Sequence, residues 1–179
     1  MTREGRVICD ATIEIPMSAA RAWGQLRDFT RYACTDPFHV DLRIEGSIPR
    51  AGAALTLYHS YVGIRIRRTG RILVWREGTQ FSFSDLSLSG PRHGFPHVMT
   101  CCVNAVDDQH CAVNIKVQGR WSNRRIPGFL ARLWLRWVFG QFQHGIENEL
   151  LKYHLWQRSR PSFSPGIGSA GSEIPRNQE

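Results

Sequence analysis

Between Pro37 and Pro127 the sequence shows no helical periodicity, and its apolar residues instead alternate with polar residues. Such alternation is typical of strands that bury one face and expose the other. It runs through residues 41–45, 55–61, 64–67, 81–85, 99–105 and 113–118. The connections between these segments are short, so the pattern predicts one antiparallel meander rather than parallel strands joined by helices.

Turn-forming residues mark the predicted connections. Glycine, proline and aspartate adopt the backbone conformations that tight turns need. They occur at residues 49–52, Thr69-Gly70, Glu77-Gly78, Gly90-Pro91 and Asp107-Asp108. We expect each of these positions to separate two strands.

The segments before this region predict one more strand and two short helices. Alternation from Arg6 to Pro16 indicates a half-buried strand. Ser18 is suited to cap a helix that continues to Leu26, and residues 29–33 allow a second short helix.

A single long helix is predicted after the last strand. From Gly128 to Trp156, apolar residues recur at steps of three and four positions. Gly140 and Gly145 each weaken a helix by about 1 kcal/mol relative to alanine. Packing against the sheet, rather than helix propensity, must therefore stabilise this element.

The composition is that of a globular chain. Hydrophobic residues make up 42% of the 179 residues, which excludes wholesale disorder. The most apolar stretch, residues 126–142, is interrupted by Arg132 and Arg136, which excludes a membrane-spanning helix. We expect one domain in residues 1–157 and, because residues 158–179 are rich in serine, glycine and proline, a disordered tail.

Two features favour a reducing compartment. Residues 1–10 lack the apolar segment of a secretory signal, so we expect a cytoplasmic location. The five cysteines form no C-x-x-C pair. We therefore expect reduced, mostly buried thiols rather than disulfides.

Several local segments match a known pattern. The matching positions are Ile15-Pro16, Ala22-Trp23, Leu26, Asp28, Tyr32 and Pro37 near the start, Gly52, Gly70 and Phe81-Ser82-Phe83 in the strands, and Leu150-Leu151-Lys152 near the end. Together with the order of elements, they resemble the helix-grip fold of the START-like SRPBCC superfamily, which includes polyketide cyclases and lipid carriers. The resemblance spans about Arg6 to Gln157.

This resemblance implies an α+β fold: a curved antiparallel sheet of about seven strands wrapped around one long C-terminal helix, with two short helices after strand one. It also implies an apolar cavity between sheet and helix that would hold a small hydrophobic or polycyclic ligand. Strand parity and the helix pattern direct the following residues toward that cavity: Leu57, His59, Tyr61, Phe83, Asp85, Met99, Cys101, Val117, Phe142 and Ile146.

Three of these residues, His59, Tyr61 and Asp85, are polar. A buried His59 and Asp85 could act as a general base with its orienting group, or could hydrogen-bond a ligand. The alternative interpretation is that they lie at strand ends near water or satisfy each other. The sequence contains no G-x-S-x-G, P-loop or dinucleotide fingerprint, so no cofactor is expected and no catalytic residue is assigned.

The remaining histidines do not predict a metal site. His93, His97 and His110 sit near loops and lack the paired spacing of zinc ligands. We expect no bound metal.

The net charge of +8 raises the question of an anionic partner. Arg65, Arg67, Arg68 and Arg71 are predicted to form a solvated outer strand face, and nucleic acid is not an expected partner. Arginines also lie beside tryptophans around the start of the long helix: Arg120, Arg124 and Arg125, with Trp121, Trp134 and Trp137. That grouping is compatible with weak contact to an anionic membrane, or with tryptophans packing that end of the helix.

Three functions therefore stay open. The first is a carrier or sensor that binds an apolar ligand without changing it. The second is a cyclase- or dehydratase-type enzyme in which His59, Tyr61 or Asp85 moves a proton on a polyketide-like substrate. The third is a basic adaptor for anionic lipid or nucleic acid. The lack of a clear catalytic constellation favours the first.

Overall fold

The computed structural model describes residues 6–35, 39–46, 48–61, 64–85, 95–121 and 127–158. Its strands are β1 (Arg6–Ile15), β2 (His39–Ile44), β3 (Ala54–Tyr61), β4 (Ile64–Arg76), β5 (Gln80–Ser84), β6 (His97–Ala105) and β7 (Cys111–Arg120). Its helices are α1 (Ala19–Leu26), α2 (Phe29–Ala33) and α3 (Gly128–Arg158).

All seven strands form one antiparallel sheet in the order β1-β7-β6-β5-β4-β3-β2. Strands β2 to β7 form the predicted meander, and β1 closes one side by pairing with β7 from Arg6↔Arg120 to Ile15↔Cys111. Two short helices follow β1 and one long helix follows β7. The predicted α+β architecture is confirmed.

One predicted turn is wrong. Strand β4 continues through Thr69-Gly70 and is 13 residues long. Gly70 serves packing instead, because a Cβ at this position would overlap the carbonyl group of Ser84 in the neighbouring strand β5. The predicted turns at Gly52 and Gly78 are confirmed by φ angles of 87° and 84°, a region that favours glycine. Gly90-Pro91 lies outside the described residues.

The core lies between the inner face of the sheet and α3. Phe142, Ile146 and Leu150, spaced four residues apart on the helix, are all buried. Helix α1 covers a different part of the same face, where Trp23 packs against Trp75 and Phe81 with ring centroids 5.5 and 6.3 Å apart. The space beneath α1 is therefore filled by aromatic side chains.

The cysteines are free thiols, as expected, but only Cys101 and Cys111 are fully buried; Cys9, Cys34 and Cys102 are half-buried. Among the described helices, none is both long and apolar enough to cross a membrane. The predicted tail, residues 158–179, falls outside the described residues except for Arg158, which ends α3.

Candidate ligand-binding cavity

A cavity lies between the sheet and the first half of α3. The empty space is about 680 Å³ when the part open to solvent is included. The centre of a water-sized sphere can occupy only about 70 Å³ of it, which is well below the about 300–1,000 Å³ of typical ligand pockets, so the enclosed part is small. The lining residues are Cys9, His39, His59, Phe83, Phe95, His97, Met99, Val117, Trp134, Leu135, Val138, Phe139 and Phe142.

The sheet contributes a straight row of side chains to the floor of this cavity. Cys9 pairs with Val117, Val117 with Met99, and Met99 with Phe83, so the row crosses β1, β7, β6 and β5. All four side chains point to the face that carries α3. Burial raises the pKa of the Cys9 thiol, which keeps this wall uncharged.

The roof is one face of α3. Trp134, Leu135, Val138, Phe139 and Phe142 follow one another at steps of one and three residues, as expected for one side of a helix. The helical periodicity of the sequence already indicated that Leu135 and Val138 face the sheet. The sequence prediction nevertheless assigned ligand contact only to Phe142 and Ile146, in later turns of the helix.

Of the sequence-predicted site residues, His59, Phe83, Met99, Val117 and Phe142 line the cavity. Leu57, Cys101 and Ile146 are buried but pack into the solid core instead of lining the cavity. Cys101 shows the reason: it pairs with Phe81, one row closer to α1, where Trp23 and Phe81 fill the space. The side chain of Tyr61 lies outside the described part of the structure.

Three imidazole rings group at the β2–β3 side of the cavity. The ring of His39 lies 4.5 Å from that of His59 and 6.0 Å from that of His97, and the rings of His59 and His97 are 6.5 Å apart, measured between centroids. Of these three histidines, only His59 was predicted from the sequence to face the cavity.

His39 was missed because the predicted strand began at Asp41, and a β-bulge takes His39 out of the regular alternation. The register shifts from His39↔His59 to Asp41↔Tyr58, so β2 contains one extra residue, Val40. Regular alternation from the buried Leu42 would turn Val40 inward and His39 outward. The bulge reverses this assignment, and Val40 is exposed.

Behind His97 lies a buried ion pair. Nη1 of Arg68 donates a hydrogen bond to Oδ2 of Asp85 over 2.8 Å, and the two residues are 5% and 2% exposed. The prediction that Arg68 belongs to a solvated face is wrong, although Arg65, Arg67 and Arg71 are exposed as expected. Arg68 is buried because its side chain points to the same face of β4 as that of Ile72, and on that face it pairs with the buried carboxylate of Asp85.

Asp85 hydrogen-bonds with His97 rather than with His59. The backbone N–H of His97 donates to Oδ1 over 2.6 Å, and Nδ1 of the ring lies 3.5 Å from the same oxygen. Burial acts to raise the pKa of Asp85, but His97, Arg68 and their hydrogen bonds outweigh it and hold the pKa below its usual value. Asp85 is therefore a paired carboxylate and a poor proton acceptor.

His59 stays uncharged at neutral pH. Burial, together with the nearby His39 and Arg68, lowers the pKa of His59 to about 3. A ring with this pKa can hydrogen-bond a ligand but is a weak general base.

The predictions for the other histidines had different outcomes. His97, placed near a loop by the sequence, is the buried first residue of β6 and lines the cavity. His110 pairs with Asp107 on an exposed turn, 2.9 Å between Nδ1 and Oδ2, and His93 is outside the described residues. Within the described residues, no three His, Cys, Asp or Glu side chains are arranged to hold a metal ion.

Solved structures share this architecture. A START superfamily protein from Mycobacterium smegmatis superposes with a TM-score of 0.64 at 14% identity, over 82% of this chain and 98% of that one. Zhui aromatase/cyclase from Streptomyces sp. R1128 gives 0.63 at 16% identity, over 87% and 96%. The di-domain ARO/CYC StfQ from the steffimycin biosynthetic pathway gives 0.65 at 13% identity, over 87% and 52%.

No family model and no curated protein sequence matches the chain. The structural similarities, at 13–16% identity, concern the fold. The chain therefore has the helix-grip fold of START-like SRPBCC proteins.

Proposed function

We propose that this protein binds a small hydrophobic ligand between the sheet and α3 and carries or senses it without changing it. The observation that supports the proposal is the cavity itself: aliphatic and aromatic side chains form its floor and roof, and polar groups gather at one end. Ligand sites of this type gain affinity from the apolar walls and orientation from a few polar groups. The small enclosed part fits one ring or a short chain, with the remainder of a larger ligand held at the mouth.

The test is to fill the cavity and measure binding. Val138→Trp places a larger side chain on the roof, and Leu133→Trp is the matched control on the exposed side of the same helix. We expect the protein to bind an environment-sensitive apolar dye at one molecule per chain, and Val138→Trp to weaken binding by at least about tenfold. Leu133→Trp should bind like the unmodified protein. Equal effects of both variants, or no stoichiometric binding, would refute the proposal.

The cyclase- or dehydratase-type alternative is supported by one observation, the Asp85–His97 pair at the cavity wall. A carboxylate beside an imidazole is the usual arrangement of a positioned general base. Against it, His59 and Asp85 are both poor bases for the reasons given above. Chromatography with mass spectrometry of a linear polyketide-like probe incubated with the protein distinguishes the two. Dehydration gives a product lighter by one water and cyclisation alone gives an isomer of equal mass with a different retention time, whereas a carrier returns the probe intact.

The adaptor alternative is supported by the outer side of α3. Phe129, Leu133 and Trp137 are 59%, 61% and 54% exposed and lie beside the exposed Arg132 and Arg136. Aromatic and basic side chains on one helix surface favour weak binding to an anionic bilayer. Sedimentation with phosphatidylserine-containing vesicles and with pure phosphatidylcholine vesicles tests this. Binding that requires the anionic lipid, falls with added salt and is lost in Leu133→Ser would support membrane contact.

A further inference from the structure

The ring of His97 has one nitrogen already engaged. Its Nδ1 lies 3.0 Å from the carbonyl oxygen of Phe95 and 3.5 Å from Oδ1 of Asp85. A carbonyl and a carboxylate oxygen can only accept hydrogen bonds. Nδ1 must therefore carry a proton, and in the neutral ring the second nitrogen, Nε2, is left with a lone pair and acts as an acceptor.

The surroundings hold this ring in one orientation. The backbone N–H of His97 is anchored to Oδ1 of Asp85, and Arg68 anchors the other carboxylate oxygen. The ring of Phe95 stacks on the ring of His97 at 5.5 Å between centroids and 8° between planes. Rotating the imidazole would break its Nδ1 hydrogen bond and this stacking together.

Gly119 makes this arrangement possible from the neighbouring strand. It pairs with His97 across β6 and β7. A Cβ on Gly119 would overlap the carbonyl oxygen of Pro96 and would lie 2.8 Å from the Phe95 ring and 2.9 Å from the Cβ of His97. Only glycine lets the Phe95–His97 segment lie this close to β7.

The fixed ring borders the cavity. Within the described residues no hydrogen bond reaches its Nε2, while the floor beside it, Phe83, Met99 and Val117, is apolar. A ligand group placed against Nε2 must give up its hydrogen bonds to water. A donor group regains a hydrogen bond to Nε2, whereas an acceptor group does not.

We propose that the cavity selects ligands in which an apolar ring system carries a hydroxyl group, a phenol or an enol, and that Nε2 of His97 accepts the hydrogen bond from that hydroxyl. This inference rests on the proposed function, because it assigns a ligand class to the same cavity. The uncharged state of His59, whose pKa is lowered to about 3, agrees with a site that binds neutral molecules.

Probes that differ in one group test the selection. Binding of 2-naphthol, 2-methoxynaphthalene and 2-naphthoate is measured by calorimetry at neutral pH, with naphthalene as the reference for the apolar part. We expect 2-naphthol to bind at least about tenfold more tightly than its methyl ether. Equal binding of 2-naphthol and 2-methoxynaphthalene would overturn the inference. Tighter binding of 2-naphthoate would overturn it as well, because the His97 ring would then be a cationic hydrogen-bond donor and not an acceptor.

Variants then connect the preference to His97. His97→Phe keeps an aromatic ring to stack on Phe95 but removes the acceptor, so the preference for naphthol over the ether should disappear while naphthalene still binds. His97→Gln supplies an amide oxygen and should restore part of the preference. His144→Phe, on an exposed position of α3, is the control and should leave it unchanged. A preference that survives in His97→Phe would overturn the inference.

The two proposals can fail separately. Stoichiometric binding of naphthalene without any preference for the hydroxyl would overturn the assignment of His97 and leave the carrier proposal standing. Failure of every probe and of the apolar dye to bind would overturn the carrier proposal itself. The melting temperature of each variant shows whether a loss of binding reflects unfolding. If His97→Phe unfolds, the preference for 2-naphthol over its methyl ether is measured in His97→Gln instead.

Discussion

Arg68 and Asp85 are stable on the inner face of the sheet because each has a specific partner. Arg68 and Asp85 neutralise each other, and Asp85 also accepts the backbone N–H of His97. Charged groups lose several kcal/mol of hydration on burial, so a single member of this set would not be tolerated inside. The pair couples β4 to the segment joining β5 and β6.

Removing one partner should therefore be costly. We expect Arg68→Met to destabilise the protein by about 3–5 kcal/mol, because it leaves the Asp85 carboxylate buried without its cation. Arg67→Met, the neighbouring exposed residue, is the control and should change stability by less than about 0.5 kcal/mol. Urea denaturation of the two variants measures both values. Similar small effects would mean that the ion pair is dispensable.

His59 should make stability depend on pH. Its pKa is about 3 in the folded protein against an ordinary value of 6.5, so between these values the unfolded chain binds a proton that the folded one does not. Stability falls as pH decreases through this range, and the contribution of His59 amounts to about 2 kcal/mol between pH 7 and pH 5. Unfolding free energies at the two pH values should show a smaller loss in His59→Gln. The same loss in both proteins would contradict this prediction.

At the scale of single elements, α3 shows how packing outweighs helix propensity. Its two interior glycines have the same intrinsic cost but different surroundings. Among the residues that the structure describes, a Cβ on Gly140 would meet no other group within 4 Å, whereas a Cβ on Gly145 would lie 2.6 Å from the Cβ of Thr35, after α2. Gly145 therefore allows close contact between α3 and the chain after α2.

This difference predicts opposite effects of one substitution. Gly140→Ala should stabilise the protein by up to about 1 kcal/mol, since the methyl group occupies open space and the helix gains propensity. Gly145→Ala should destabilise it by about 1–3 kcal/mol, because Thr35 must move. Thermal unfolding of the two variants, with the unmodified protein as reference, checks the signs. Stabilisation by both would mean that the Thr35 segment moves aside easily.

At the scale of the whole molecule, one face of the sheet serves two purposes. Under α1 and the later turns of α3 it carries a filled core, with Phe81, Trp23 and Ile146 in contact with their neighbours. Under the first half of α3 it leaves the cavity. The division decides which inward residues face a ligand, and it depends on where the two helices lie.

The segment after α3 should contribute little to this architecture. Deleting residues 159–179 is expected to leave the melting temperature nearly unchanged, because a segment rich in serine, glycine and proline has too little apolar surface to offset its ordering entropy. Differential scanning calorimetry of the shortened and full chains measures this. A decrease of several degrees would show that the segment packs on the domain.

The alternating pattern by itself located the strands and predicted the antiparallel meander from β2 to β7, apart from the turn wrongly placed at Thr69-Gly70, and the helical periodicity predicted α3. Both signals are local, since burial on one face repeats every two residues in a strand and about every 3.6 in a helix. They also placed His59, Phe83 and Met99 on the correct face.

Only the tertiary structure decided which inward residues meet empty space and which polar groups meet each other. The bulge at Val40 turned His39 inward, and the pairing of β4 with β5 brought Arg68 to Asp85. The absence of a side chain at Gly119 on β7 lets His97 on β6 lie at the cavity wall. Each of these outcomes joins residues that are distant in the chain or depends on one inserted residue, and a local pattern contains neither kind of information.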